Sequence, residues 1–332
     1  CCCGLYHHQA SADRKAFYRS FGKKPLKDGT QMKTYFCIDI GGTSVKYGIY
    51  SENSGFLMDS SFPTQAWLGG PSIIDRIIKL ASQILEKQPD ICGICISTAG
   101  MVDCNTGCIT YASSLIPEYT GTPVKNIFEQ QFHLPCEVEN DVNCAALAEY
   151  FSGAAKGASS CLCLTIGTGI GGAFVENGQI FHGFSGSGCE VGYMYLPDGA
   201  FQDIASTSAL VRRVARRKNL SFSALSGKKI FDLAKKNDSD CIEEIDRMTS
   251  YLGMGIANIC YVLNPEIIVL GGGIMVQKEL LYDKIREAVD KYLLHSIAGK
   301  TTLKFAQNQN RAGMLGAFYH FKARKKEADI HV

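Results

Sequence analysis

The chain has almost no charge bias: 34 Lys and Arg against 32 Asp and Glu leave +2 across 332 residues. So even a balance argues against nucleic acid or an anionic membrane as the main partner. Nowhere is there a run of about 18 uncharged apolar residues, which argues against a helical membrane span. Nor does the start of the chain carry the apolar core, about 7–15 residues long, that a secretory signal needs, so a cytoplasmic protein is expected. Proline is scarce, 9 residues against 34 glycines, so the turns are built from glycine. A Walker A motif (GxxxxGK[ST]) is missing, and so are the HRD and DFG motifs of protein kinases, which removes two common nucleotide-binding architectures. What is present is an ordinary globular composition, 46% hydrophobic and 20% charged, on a chain long enough for about two domains at roughly 150 residues each. A small-molecule partner is the expectation.

Fifteen cysteines would suggest disulfides in a small secreted chain, but most sit in apolar runs (Cys37, Cys92, Cys95, Cys161, Cys163, Cys260), where reduced Cys behaves as a small hydrophobe. Cys92 and Cys95 have CxxC spacing inside a strand-like run. Residues three apart on a strand point to opposite faces, so they cannot grip one metal. Residues 1–31 hold six Lys/Arg and two Asp, a local net +4, with no sustained apolar period. They are expected to be a leader or disordered segment ahead of a fold that starts at Met32.

From Met32 the pattern is strand (Tyr35 to Ile40), glycine turn (Gly41-Gly42-Thr43), strand (Val45 to Tyr50). Pro71 to Glu86 carries Ile73, Ile74, Ile77, Ile78, Ala81 and Leu85 at helical spacing. A buried strand follows over Ile91–Ser97, another ends at Val138, and Asn140-Asp141 then precede a helix-forming run beginning at Cys144. Cys161 to Ile166, Gly167-Thr168-Gly169-Ile170-Gly171-Gly172 and Ala173 to Val175 repeat the strand, glycine turn, strand design about 126 residues later, so the chain reads as internally duplicated. Helices are expected over Ser208–Arg217, Asp240–Leu263, Lys278–Leu294 and Ala312–Ala323, with a strand from Ile267 running into Gly271-Gly272-Gly273. These patterns predict an α/β protein of two lobes facing a cleft: 32–150, completed by the last helix, and 151–311.

Glycine lets a backbone approach a ligand and turn its N–H groups toward one anion, which is why such loops cradle phosphates. Gly41-Gly42 alone is more often a plain hairpin turn, and Gly271-Gly272-Gly273 alone is equally a strand-to-helix connector; three such loops at the ends of equivalent strands point to nucleotide. A strand rather than a helix follows Gly167–Gly172, which excludes a Rossmann site. Asn140-Asp141 alone would read as a helix cap.

Asp39-Ile40-Gly41-Gly42-Thr43 resembles the first phosphate motif of the actin-like ATPase and sugar-kinase superfamily, and Leu164 to Gly172 resembles the second. With Glu139-Asn140-Asp141-Val142-Asn143-Cys144-Ala145-Ala146-Leu147-Ala148-Glu149 and Leu263-Asn264-Pro265-Glu266-Ile267-Ile268-Val269-Leu270-Gly271-Gly272-Gly273, the pattern from about Met32 to Phe321 resembles the ROK family of bacterial sugar kinases and repressors. The resemblance implies two ribonuclease-H-like lobes with the C-terminal helix crossing back to the first. It implies ATP and magnesium in the cleft: ATP held by Asp39, Gly41, Gly42, Thr43, Lys46, Thr168, Gly169, Gly272 and Gly273, and magnesium positioned indirectly by Asp39. Asp141 would be the catalytic base, and the sugar would meet Gly100, Ser113, Ser114, Asn140, Asp141, Glu190, Tyr193 and Gln202.

The sequence departs from the family in two ways. Most members have His at the position of Tyr193, followed by a cysteine cluster that binds zinc. Between Tyr193 and Ala205 this chain has no Cys, so no structural zinc is expected. Gln202 stands at the family's second sugar glutamate, and Ser114 where many glucokinases have Asn. Together with the ending Ala312 to Phe321, these features resemble the zinc-free β-glucoside kinases, and phosphorylation at O6 is expected. Tyr193 reads either as an aromatic platform for a pyranose or as core filler where zinc once sat.

Ser97-Thr98-Ala99-Gly100 and Leu115 to Tyr119 also resemble N-acetylmannosamine kinases, and a glucokinase remains a further option. A sugar-responsive regulator is a reading of another class, but 31 polar residues are too short for the helix-turn-helix module such proteins carry. A chaperone-like or filament ATPase would have no need of a sugar-gripping Asn-Asp-Glu set. Family members commonly dimerise, and Asp240–Leu263 reads either as a dimer face or as an ordinary core helix.

Overall fold

The computed structural model describes residues 33–330; the expected leader 1–31 and Met32 lie outside them. Strands β1 (Thr34–Ile40), β2 (Ser44–Ser51) and β3 (Gly55–Pro63) form an antiparallel meander. Helix α1 (Gly69–Leu85) then crosses to β4 (Ile91–Thr98), which lies parallel beside β1. A small hairpin, β5 (Met101–Asp103) and β6 (Cys108–Tyr111), and helix α2 (Val124–Phe132) lead to β7 (Cys136–Asn140), parallel to β4, and to helix α3 (Asp141–Ser152). The sheet order is β3-β2-β1-β4-β7.

The second lobe repeats this plan. Strands β8 (Ser160–Ile166), β9 (Ile170–Glu176) and β10 (Gln179–Ile180) form the second meander. A ribbon of β11 (Tyr195–Leu196) and β12 (Gly199–Ala200) and helices α4 (Phe201–Ala205), α5 (Thr207–Arg217), α6 (Gly227–Ala234) and α7 (Ser239–Leu263) precede β13 (Ile267–Gly271). Helices α8 (Lys278–Tyr292) and α9 (His295–Ala298), strand β14 (Thr302–Phe305) and helix α10 (Ala312–Ile330) complete the chain. The order β10-β9-β8-β13-β14 matches the first sheet position for position. This is the expected pair of ribonuclease-H-like lobes, and the glycine turns lie at the carboxyl ends of β1 and β8, where open α/β sheets bind ligands.

The central strands are apolar on both faces because helices cover both faces; every residue of β1 is buried. Helix α10 lies on the first sheet, with Met314, Phe318 and Phe321 packed around Tyr35, Cys37 and Cys95. It also presses on α3, where a Cβ on Gly316 would strike the carbonyl of Cys144. Cys92 is exposed and Cys95 buried on β4, the opposite-face arrangement expected of that strand, and all twelve described cysteines are free. Along α7, Tyr251, Leu252, Ile256 and Ile259 are buried in the second lobe's own core, whereas Tyr261 and Val262 near its end are exposed.

Several boundaries differ from the sequence expectations. Helix α1 starts at Gly69, with Pro71 inside its first turn, where a missing N–H costs no helical bond. Helix α10 runs on past Ala323 to Ile330. Strand β3, the β5–β6 hairpin, α2 and β14 had no expectation; β3 is a largely exposed edge strand without a clean apolar alternation. No helix among the described residues is long and apolar enough to cross a membrane.

Candidate active site

Strand β7 ends and α3 begins at Asn140-Asp141, and the Asn140 amide fixes that junction with all of its groups. Its Oδ1 accepts hydrogen bonds from the N–H groups of Val142 (2.9 Å) and Asn143 (3.1 Å), the helix cap the sequence allows. Its Nδ2 donates to the carbonyl of Gly100 (2.9 Å) and to Asp141 Oδ1 (3.1 Å). With two donors and one acceptor oxygen fully engaged, Asn140 acts on Asp141. Gly100 supplies its carbonyl from a backbone at φ 102°, a conformation that favours glycine.

Asp141 Oδ1 also accepts from the Val142 N–H at 2.9 Å, whereas Oδ2 accepts from no other described residue. Burial of this carboxyl, with repulsion from Asp39 and a smaller contribution from Glu190, pushes its pKa up to about 7 against the opposing pull of the Val142 N–H. A carboxylate so placed can take a proton near neutral pH.

Asp39 stands at the end of β1 between two donors: Lys46 Nζ at 2.9 Å from Oδ2 and Ser97 Oγ at 2.8 Å from Oδ1. Gly313, in the first turn of α10, leaves room for this carboxylate; a Cβ there would strike it. Beyond Asp39 the turn is tied down by Thr64, whose Oγ1 donates to the Gly41 carbonyl at 2.6 Å, while Gly42 and Thr43 are exposed.

The second turn is closed by Gly167 N–H to Gly169 carbonyl at 3.0 Å and anchored to the start of α5 by Thr207 N–H to Gly167 carbonyl at 3.0 Å. Gly272 adopts φ 111°, and a Cβ there would strike the Ile166 carbonyl, so only glycine fits where β13 leaves the sheet. Beside it opens a cavity of about 430 Å³ lined by Gly167, Thr168, Thr207, Ser208, Val211, Phe222, Leu225, Ser226, Gly227, Lys228, Gly273 and Ile274. Apolar walls with a lysine and a few hydroxyls suit a purine nucleoside. A Cβ on Gly42, Gly167 or Gly273 would meet nothing within 4 Å, so these backbones face open space, as phosphate cradles must. The residues present therefore fit ATP, and Asp39 fits a magnesium ion through water, since both its oxygens already hold protein donors.

The hairpin β8–β9 abuts the catalytic strand end, because a Cβ on Gly171 would lie 2.6 Å from Val142 Cγ2. Asp141 thus sits between the two turns. Glu190 precedes the short helical turn Val191–Tyr193, and partial burial raises its pKa. Tyr193 is 52% exposed, so it does not fill a core. Its hydroxyl lies beside Tyr111 and Gln202; burial, Tyr111 and Glu190 raise its pKa against the opposing hydrogen bond of Gln202. Gln202 Oε1 packs against Gly169 and Gly192, which places it against the second phosphate turn. Ser113 and Ser114 lie exposed on the turn leading to Ile116 and are not brought onto the Asn140–Asp141 pair by any hydrogen bond among the described residues.

Sequence reasoning assigned no role to several groups. Glu139 lies beneath the pair: Oε1 accepts from the Asn140 N–H (2.7 Å) and Asn143 Nδ2 (3.0 Å), and Oε2 from His182 Nε2 (2.7 Å). Burial alone would raise its pKa, but the His182 hydrogen bond and the nearby His320 bring it down to about 2. Glu139 stands in the same motif as Asn140-Asp141, which is the signal that could have found it. The cavity residues Phe222, Leu225 and Lys228 carry no such signal.

Comparison with known proteins agrees with this geometry. A family model described as "ROK family" matches residues 35–324. An uncharacterized protein of Clostridium perfringens is 48% identical over 291 residues, covering 88% of this chain and 98% of its own. A β-glucoside kinase of Listeria monocytogenes is 31% identical, covering 85% and 95%. The crystal structure of a ROK family glucokinase from Streptomyces griseus, in complex with glucose and AMPPNP, superposes with a TM-score of 0.75 at 28% identity, covering 86% and 97%. A match over nearly the whole of both folded lobes, with both glycine turns and the Asn-Asp junction in place, shows that the chain belongs to the ROK family.

Proposed function

We propose that this protein transfers the terminal phosphoryl group of ATP to the O6 hydroxyl of a β-glucoside, with Asp141 as the general base. The activity class is that of an ATP-dependent carbohydrate kinase. The observation that carries the mechanism is Asp141 itself: one oxygen pinned by Val142 and Asn140, the other unengaged, and its pKa at about 7 beside Asp39 and the phosphate turns.

Phosphoryl transfer runs through a loose transition state, so the protein's task is chiefly to align the acceptor oxygen and stabilise charge, and to accept the proton late. Asn140 holds Asp141 in the orientation for that proton. The backbones of Gly41–Thr43 and Thr168–Gly169 hold the phosphates, and Gly272, Gly273 and the apolar cavity hold the nucleoside. Magnesium, when bound with ATP, neutralises phosphate charge, and Asp39 is the carboxylate placed to orient it. Dependence on ATP fits work in the cytoplasm.

Glu190, Tyr193 and Gln202 surround the acceptor, with Gly100 behind Asn140 and Ser113 and Ser114 at the rim. Exposed Tyr193 beside Tyr111 offers aromatic faces to a second sugar or aglycone, which supports the β-glucoside over free glucose, as does the likeness to the Listeria kinase. We place the lobe boundaries at 32–150 and 151–311, with the C-terminal helix packed on the first sheet. The test is coupled ADP release with magnesium and ATP against cellobiose, gentiobiose, salicin, glucose and N-acetylmannosamine, with Asp141→Ala as the blank. Asp141-dependent turnover favouring the β-glucosides is expected; turnover confined to glucose or N-acetylmannosamine would overturn the substrate, and none on any sugar would overturn the reading.

A further inference from the structure

A second cavity lies apart from the one beside the phosphate turns. It measures about 600 Å³ and opens behind the Asn140–Asp141 junction, lined among others by Asp103, Cys104, His182, Phe184, His320 and Arg324. On its wall three atoms of metal-ligating type converge. Cys104 Sγ lies 3.2 Å from Glu139 Oε2 and 3.4 Å from His182 Nε2, and those two are 2.7 Å apart. A fourth residue stands against the same oxygen: His320 Nδ1 is 3.4 Å from Glu139 Oε2. His320 is only 5% exposed, and its Nε2 has no hydrogen-bond partner among the described residues.

From this convergence we infer a binding site for a divalent transition metal of the zinc class, made by Cys104, Glu139 and His182, with a cavity water as the fourth ligand. Thiolate, imidazole and carboxylate together select zinc or cobalt over magnesium or calcium. Metal–ligand bonds of about 2.0–2.3 Å in a tetrahedron set ligand-to-ligand edges of roughly 3.3–3.6 Å. The two sulfur edges are already close to that, and the His182–Glu139 edge opens as the ion replaces its hydrogen bond. Binding releases the thiol proton to the cavity water. The cavity itself is the entry path.

The site is separate from the loop after Tyr193, on which the expectation of no zinc rests. Its ligands come from the β5–β6 hairpin, the end of β7 and the segment after β10. It therefore ties the first lobe to the second, directly behind the strand end that carries Asp141.

The experiment uses the full chain with Cys1→Ser, Cys2→Ser, Cys3→Ser, His7→Ala and His8→Ala, because those thiols and imidazoles would otherwise compete. The reduced, chelator-treated protein is titrated with cobalt and followed by absorption. We expect one equivalent per chain, tetrahedral d–d bands and a thiolate-to-cobalt charge-transfer band, all displaced by zinc. Cys104→Ser should abolish the charge-transfer band. His182→Asn, which keeps the thiol, should weaken binding by more than the roughly 10–100-fold that losing an outer partner of a ligand costs, while melting with wild-type cooperativity without metal. Failure to take up one equivalent, a charge-transfer band that survives Cys104→Ser, or unchanged affinity in His182→Asn would overturn the site.

Discussion

Replacing Asp141 by Asn should make the protein more stable and nearly inactive, and the stability gain should follow pH. In the folded chain the Asp141 carboxyl titrates near 7 rather than near its ordinary 3.8. One unit of displacement is worth about 1.4 kcal/mol, so keeping Asp141 ionised costs the fold up to about 4 kcal/mol above pH 7. The sign follows from proton linkage: between the two values the folded chain holds a proton that the unfolded chain has lost. The stabilisation from protonated Asp141 is therefore complete below about pH 4 and disappears as pH rises through 7. The Asn side chain neither titrates nor loses the bond from the Val142 N–H. The stability difference between Asp141→Asn and wild type should be near zero around pH 4, grow through pH 6 and level off above pH 7. For a chain of this size, roughly 2 °C of Tm per kcal/mol puts the upper limit near 8 °C at pH 8. The assay is urea and thermal unfolding of EDTA-treated, nucleotide-free protein at several pH values, alongside kcat, which should fall by about 100- to 10,000-fold. A variant less stable than wild type at pH 8, or a difference independent of pH, would refute the burial argument.

Other outcomes follow from the same geometry. Gly313→Ala puts a Cβ against the Asp39 carboxylate; kcat should fall by at least about tenfold, with a loss of roughly 1–3 kcal/mol in unfolding free energy from overpacking. Asn140→Ala removes the α3 cap and costs about 1–2 kcal/mol; because the amide is spent on Asp141, kcat should drop far more than the sugar KM rises. Tyr193→Ala should raise KM for a β-glucoside several-fold and leave KM for glucose nearly unchanged, as measured by coupled ADP release. Wild-type kcat/KM should rise with pH along a limb centred near 7, the value of Asp141.

The skeleton of the site was legible in the sequence because its signals are local. Buried apolar strands that run into glycine turns mark Gly41–Thr43, Gly167–Gly169 and Gly271–Gly273, and the 126-residue repeat gives the two lobes. What was not legible depends on partners far apart in the chain. That Asn140 spends its amide on Asp141 and on Gly100, 40 residues away, shows only once both carbonyl and carboxylate are placed. Tyr193 reads equally as platform or filler until its exposure is known. Cys104, Glu139 and His182 span 78 residues without a spacing to connect them, and Phe222 and Leu225 carry no chemistry that marks a nucleoside wall.

With Asp141 as the base that takes the hydroxyl proton, the phosphoryl group of ATP passes to a sugar oxygen rather than to water. Phosphorus NMR of the products formed with cellobiose or gentiobiose tests this most directly. One phosphomonoester is expected, its phosphorus coupled to the protons of a C6 methylene, formed in step with ADP and absent with Asp141→Asn. ADP accompanied only by inorganic phosphate, or the same sugar phosphate formed at an undiminished rate by Asp141→Asn, would contradict it.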